Sequence, residues 1–324
     1  MPYLLIRTAA GDRGARPFSG VFWESPDIYV APAQEAQTAP LLPPTGAGVA
    51  DAGAPNTLYA HVWNLGKAPA YRVRVEFYWF NPSLGINRSD ANLAGAAWVD
   101  LANRFTTYSQ WEERTGPDGN TYMSRGSHAI VRCPTTWVPQ YLNGGHECLV
   151  IRAFEPMMDS VSPDQFSSAA DRHIAQRNIA VVQAASPAAL DLSLDLGYPS
   201  QPSAAELDVR VDSPAAMEWL RLLIGAANPG LTATSQPISY GFLPPTTPAS
   251  RRLVLSSVSA DARAEFLRTG ERFERECCPL RVQFHASVDD LGPRDAAVLR
   301  LRQRVDGDLV GGYTVVLVPA GRLP

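Results

Sequence analysis

Two neighbouring segments between Asn56 and Phe80 alternate in character residue by residue, and the turn sequence Asn64-Leu-Gly-Lys-Ala-Pro-Ala joins them. Alternation with a period of two predicts β-strands. In the first strand, one face carries Leu58, Ala60 and Val62 and the other carries Tyr59, His61 and Trp63. In the second, the apolar face comprises Tyr71, Val73, Val75, Phe77 and Trp79, opposite Arg72, Arg74 and Glu76. A polar face opposite an apolar one is typical of a half-buried antiparallel sheet.

Length and charge limit the classes of protein that this chain can belong to. Its 324 residues suit two domains, each with its own core. A formal net charge of −4 argues against a nucleic-acid partner, because phosphate-backbone binders need a basic surface. No apolar run has membrane-spanning length, so no membrane span is expected. The first residues lack the basic and apolar segments of a signal peptide, so the expected location is the cytoplasm, or outside the cell by a route without an N-terminal signal peptide.

Short strands separated by turns continue to about residue 185, with further strands expected at 97–101, 127–133, 147–154 and 178–183. With the Asn-x-Gly-x-Ala turn between aromatic and β-branched strands, residues 20–185 resemble the bacterial cell-adhesion-related immunoglobulin-like domains called CARDB. The resemblance implies an immunoglobulin-like β-sandwich that binds or spaces other proteins. It implies no catalytic residue.

The composition changes after about residue 185. Segments 189–196 and 206–212 are expected to pair as strands, and segments 213–225 and 259–270 are expected to form two short helices. Segments 297–305 and 309–318 predict a hairpin around Asp306-Gly307-Asp308. The expected organisation is therefore a sandwich domain at 1–185, followed at 186–324 by a second β-rich domain, which could also be a sandwich.

Potential metal ligands cluster at His146 and Cys148, and His128 and Cys133 could join them from a neighbouring strand. The favoured interpretation is a buried cysteine near a loop histidine, with no metal and no cofactor. If a disulfide forms, Cys133 and Cys148 are its partners, but free thiols are favoured without a secretory signal. The chain lacks Gly-x-Ser-x-Gly, and no catalytic residue is expected.

Two groups of residues are candidates for binding. Three arginines fall on one face of a predicted strand: Arg300, Arg302 and Arg304. They could contact an acidic partner, a carboxylated glycan or a nucleic-acid phosphate, but a solvated face offset by Asp295, Asp306 and Asp308 is the favoured interpretation. Tyr108 and Trp111 lie in a polar segment and could contact a carbohydrate or a protein, unless they pack locally.

These observations predict a non-catalytic structural or interaction protein, of adhesion or assembly type, that binds another protein or itself. Two alternatives stay open. One is a carbohydrate-binding accessory module, and the other is a metal-dependent or serine hydrolase.

Overall fold

A computed structural model describes the chain in residues 1–43, 50, 53–80, 88, 91–106, 113–115, 121–123, 126–139 and 148–184, and then in strands up to residue 319. Side chains are described up to Asn178, apart from the strands at 113–115 and 121–123, and at 309 and 311–314. The fold is mainly β, and the described residues contain no α-helix. The chain divides into two compact units, and the first ends in the sequence at Arg177.

The first unit is built from two largely antiparallel sheets. Its strands are β1 (Leu4–Leu5), β2 (Ile28–Ala31), β3 (Thr57–Asn64), β4 (Ala70–Phe80), β5 (Asn92–Leu101), β6 (Glu113–Thr115), β7 (Thr121–Met123), β8 (His128–Arg132), β9 (Cys148–Phe154) and β10 (Ile174–Arg177). In the four-stranded sheet, β3 is central, with β8 along one edge and with β1 and β2 end to end along the other. The six-stranded sheet has the order β10-β9-β4-β5-β7-β6.

Both sheets contribute to one hydrophobic core. The residues at alternate positions of β3, including Leu58 and Val62, belong to the same buried cluster as Val73, Val75 and Phe77 of β4. Alternation therefore identified the residues that hold the sheets together, because every second side chain of a strand points to the same face. Burial of such side chains supplies most of the driving force for folding.

Tyr71 is an exception to the expected pattern, since it is 64% exposed rather than packed in the core. One extra residue in β4 shifts the pairing with β5 between Ala70 and Val73, and Arg72 has a φ of 56°. The Arg72 amide donates a hydrogen bond to Asp100 Oδ1 at 2.7 Å, which holds this bulge. A bulge turns the side chains beside it, so Tyr71 leaves the apolar face.

The outer face of β3, opposite the core, is largely covered by other parts of the protein. Tyr59 is fully buried against Ala31 and Ala39, and its hydroxyl donates a hydrogen bond to the Pro40 carbonyl at 2.7 Å. The Pro- and Ala-rich segment after β2 therefore covers part of this outer face. The other part, near His61 and Trp63, is described below.

The second unit contains ten strands in its described residues. They are β11 (Ile179–Ala184), β12 (Leu190–Leu196), β13 (Ala205–Val211), β14 (Thr232–Ala233), β15 (Gly241–Thr247), β16 (Ser250–Val254), β17 (Arg272–Phe273), β18 (Leu280–Ala286), β19 (Asp295–Val305) and β20 (Asp308–Pro319). The main sheet has the order β11-β20-β19-β13-β17, in which β11 and β20 are parallel.

Two expected features of strand pairing are wrong. Strands β12 and β13 do not pair with each other, because β12 pairs with β18 and β13 pairs with β19. The segment at 178–183 does not close the first unit's sheet, since β11 pairs with β20 and β10 ends that sheet. Alternation indicates that a strand exists but does not identify its neighbour.

The predicted hairpin of β19 and β20 is confirmed, with Val305 opposite Asp308. Its register shifts by one residue beside Gly311, and a glycine within a strand often marks such a bulge. The two helices expected at 213–225 and 259–270 lie outside the described residues. Within the described part of the chain, no helix is long and apolar enough to cross a membrane.

Candidate functional site

Five side chains meet on the outer face of the four-stranded sheet, and we call them the ring cluster: Arg7, Asp27, His61, Trp63 and His128. His61 and Trp63 lie two residues apart on β3, and His128 begins β8 directly opposite Trp63. The indole of Trp63 stacks on both imidazoles, with centroid distances of 4.2 Å to His61 and 4.6 Å to His128. The guanidinium of Arg7 lies 4.7 Å from the Trp63 ring centroid.

Asp27 anchors the ring cluster from just before β2. The Arg7 guanidinium donates to both carboxylate oxygens, with Nη2 at 2.5 Å from Oδ1 and Nε at 2.9 Å from Oδ2. The Arg7 amide and the Trp63 indole N–H also donate to Oδ2, at 2.8 Å and 3.0 Å. Burial raises the pKa of Asp27, but with these donors we assign the carboxylate its ionised form.

The two imidazoles contact each other directly. His61 Nε2 lies 2.8 Å from His128 Nδ1, and the other nitrogen of His61 lies 3.8 Å from Asp27 Oδ1. Burial lowers the pKa of His61 to about 3, and the charges of His128 and Arg7 act in the same direction. Burial and the charge of Arg7 also lower the pKa of His128. Both rings are therefore neutral at physiological pH.

A second titratable cluster connects the N-terminal segment to the turn before β10, and we call it the Asp159 cluster: Asp159, Asp171, Arg172 and His173. Asp159 accepts a hydrogen bond from the Leu4 amide at 2.6 Å and pairs with Arg172. His173 lies between two carboxylates, with Nδ1 at 2.7 Å from Asp171 and Nε2 at 3.2 Å from Asp159. Burial acts to lower the pKa of His173, but its contacts with these carboxylates outweigh burial and raise it. The cluster therefore holds β1 against the segment that precedes β10.

The outer face of the six-stranded sheet has a different character. Trp98 of β5 lies opposite Arg74 of β4, and the guanidinium groups of Arg72 and Arg74 lie 5.7 Å and 5.6 Å from its ring centroid. We call these three residues the Arg–Trp patch. Arg74 also pairs with Glu76 at 2.8 Å, and the exposed Tyr71 adjoins Arg72.

Of the four potential metal ligands, the structure describes three, and it does not bring them together. His128 belongs to the ring cluster, Cys133 lies in the core, and Cys148 lies on β9 beside Gln176. His146 lies outside the described residues. Among the residues that are described, no group of three or more His, Cys, Asp or Glu side chains could hold a metal ion.

Cys133 and Cys148 are free and buried. Burial raises the pKa of Cys133 to about 11 and that of Cys148 to about 12. The thiolate is the form that binds metals and attacks electrophiles, so these protonated thiols are inert at neutral pH. They pack as small apolar residues, as the favoured interpretation had it.

Tyr108 and Trp111 lie outside the described residues. The three arginines lie on β19, and the register places Arg302 opposite Asp208 and Arg304 opposite Glu206 of β13, while Arg300 lies opposite Arg210. Residues directly opposite each other in an antiparallel pair share a face of the sheet.

The ring cluster was missed by the sequence reasoning. His61 and Trp63 were recognised as a pair on one face of a strand, which is a signal, since a histidine and an indole are uncommon on a plainly solvated face. Nothing in the sequence relates them to Asp27 or Arg7, because those contacts depend on how β1, β2 and β3 align.

Comparison with known proteins adds no family to this picture. No protein-family model matches the chain. No curated protein matches it either.

Proposed function

We propose that the protein is a non-catalytic interaction module, of adhesion or assembly type, that binds another protein or a second copy of itself. We also propose that the first unit is an immunoglobulin-like sandwich of the CARDB type and that the two compact units are separate domains. The proposal for the fold is supported by two largely antiparallel sheets whose residues share one core.

One observation carries the proposed function: the Arg–Trp patch and Tyr71 present an indole, two guanidinium groups and an exposed phenol in one region of β4 and β5. Trp, Tyr and Arg are the residues that contribute most binding energy at protein interfaces. Their large side chains offer apolar area together with directed hydrogen bonds. A partner protein can use both.

The region is also held in place before any partner arrives. The Arg72 backbone is fixed by its bond to Asp100, and the Arg74 side chain is fixed by Glu76 and by the Trp98 ring. Side chains that are already ordered lose less conformational entropy on binding. The positive φ of Arg72 costs local backbone free energy. A surface that is already ordered for binding is one reason for a protein to keep such a conformation.

The proposal is tested by placing a photo-crosslinking phenylalanine derivative at position 71 and, as a matched control, at position 157. Met157 is 87% exposed and lies in the turn after β9, so it controls for exposure alone. We expect position 71 to crosslink to a protein, either a second copy or another component of an extract from the source cells. Trp98→Ala in the same chain should weaken this crosslink.

Equal crosslinking from positions 71 and 157, or no protein crosslink from either, would contradict an interaction surface at β4 and β5. Light scattering on the purified protein then separates the two partners. A dimer that Trp98→Ala dissociates identifies self-association, whereas a monomer that still crosslinks in the extract identifies a different protein.

A further inference from the structure

The contact between His61 and His128 has the geometry of a metal-chelating pair. The two residues come from adjacent strands in a fixed register, in which His61 lies opposite Ile130 and His128 lies opposite Trp63. Their nearest nitrogens, His61 Nε2 and His128 Nδ1, converge to 2.8 Å. We propose that these two imidazoles bind one Cu²⁺ ion, with water completing its coordination.

The separation of the nitrogens is compatible with one coordination geometry more than with another. With metal–nitrogen bonds of about 2.0 Å, neighbouring ligands of a square-planar ion lie about 2.8 Å apart, and those of a tetrahedral ion about 3.3 Å apart. The observed distance of 2.8 Å fits the square-planar arrangement. Copper(II) prefers tetragonal geometry with nitrogen and oxygen ligands, and it also binds such sites most tightly among the divalent first-row metals.

The surroundings supply the support that metal-binding histidines usually have. The second ring nitrogen of His61 lies 3.8 Å from Asp27 Oδ1, so a carboxylate stands on the side of the ring away from His128. Metal-binding imidazoles usually have a carboxylate or carbonyl on that side. Stacking on Trp63 restrains both rings, so little side-chain entropy remains to be lost.

The charged side chains near the two imidazoles do not repel a metal cation. Arg7 is the nearest cation, and Asp27 neutralises it through a bidentate pair at 2.5 Å. Each neutral imidazole carries one proton, and without metal one of these protons bridges the two rings. Metal binding at both facing nitrogens requires that proton to move to the far nitrogen of its own ring, so no proton is lost overall.

The proposal is tested with Cu²⁺ titrated into the purified full-length protein, followed by pulsed electron paramagnetic resonance, which counts coordinated imidazoles. We expect one bound ion with two imidazole ligands. His61→Gln and His128→Gln should each lose one imidazole signal and bind Cu²⁺ at least about tenfold more weakly, since each removes half of the protein's ligands. His173→Gln is the control, because that ring belongs to a different cluster.

Thermal unfolding without metal identifies any variant that fails to fold. His128→Gln is the safer of the two variants, because His128 is less deeply buried than His61. The proposal is overturned if the wild type binds no Cu²⁺, or if a folded His128→Gln variant keeps the affinity and the two-imidazole spectrum. The contact is then a hydrogen bond between imidazoles and nothing more.

Discussion

His61 and His173 lie in the same unit, and each is close to a buried aspartate, yet the pKa of His61 falls while that of His173 rises. Burial acts in the same direction on both rings. The difference lies in how closely the carboxylates approach each imidazole. Asp27 is engaged by Arg7 and Trp63 and stays 3.8 Å from His61, whereas His173 has carboxylates at 2.7 Å and 3.2 Å.

The pair teaches that a carboxylate raises the pKa of a histidine when it lies within hydrogen-bonding distance of the ring, even if it also pairs with an arginine, as Asp159 does. In the ring cluster the Asp27 carboxylate lies beyond that distance, and burial and the charges of His128 and Arg7 lower the pKa of His61. In the Asp159 cluster, Arg172 and His173 share two carboxylates, so enough negative charge remains for the imidazolium.

The largest expected effect comes from removing the carboxylate of the ring cluster. Asp27→Ala leaves the Arg7 guanidinium and the Trp63 indole N–H without their acceptor in a buried setting. We expect the free energy of unfolding to fall by about 3 kcal/mol, near the lower end for a broken buried ion pair, because Arg7 is partly exposed. Urea unfolding measures the loss. Asp171→Ala is the control in the other cluster, and an equal loss there would remove the distinction between the two clusters.

The two arginines allow a closely matched comparison, since the Arg7 side chain is 28% exposed and the Arg172 side chain 26%. Arg7→Met leaves the fully buried Asp27 without a cation, while after Arg172→Met the Asp159 carboxylate keeps His173 and the Leu4 amide. We expect a loss of roughly 2 kcal/mol for Arg7→Met and roughly 1 kcal/mol for Arg172→Met. Parallel urea titrations decide the order. A larger loss for Arg172→Met would show that His173 and the Leu4 amide do not compensate Asp159 for the missing arginine.

The smallest expected effect is a pH dependence that belongs to the Asp159 cluster. The pKa of His173 is raised above 6.5, so its stabilising contribution is complete below pH 6.5 and is lost as the pH rises through the folded-state pKa. The pKa of Asp171 is lowered from 3.8, so its contribution is present above pH 3.8 and is lost on further acidification. The cluster therefore stabilises most between these limits.

We expect the loss above pH 6.5 to be on the order of 1 kcal/mol, the net contribution of a typical hydrogen bond, because burial offsets part of the gain from the charged contacts. Unfolding free energies measured between pH 5.5 and pH 9, at intervals of about half a unit, give the slope. His173→Gln should flatten this slope. A variant that keeps the wild-type slope would show that another group titrates in this range.

The sequence predicted much of the first unit's core but little of its surface. Alternation placed Val73, Val75 and Phe77 correctly, because burial of one sheet face imposes a pattern on neighbouring residues. Tyr71 was misplaced, because a bulge depends on the partner strand and leaves no mark at Arg72, where a positive φ is unusual for a non-glycine residue.

The candidate sites depend even more on register than the core does. The approach of His61 to Asp27 joins β3 to the residue just before β2, and a shift of one position in the pairing of β2 with β3 would move the two side chains to opposite faces. The Arg–Trp patch requires Trp98 to lie opposite Arg74, which neither strand specifies alone. Both sites therefore needed the three-dimensional structure to be recognised.

The parallel pairing of β11 with β20 has a consequence for synthesis of the chain. Asn178, just before β11, donates a hydrogen bond to Gly312, 134 residues further along. At typical translation rates of about 5 to 20 residues per second, β11 waits roughly 7 to 27 s for its partner to leave the ribosome. The first unit needs no residue beyond Arg177 for its described strands, so it can fold while β11 still has an open edge. During synthesis the second unit therefore stays incomplete for longer than the first.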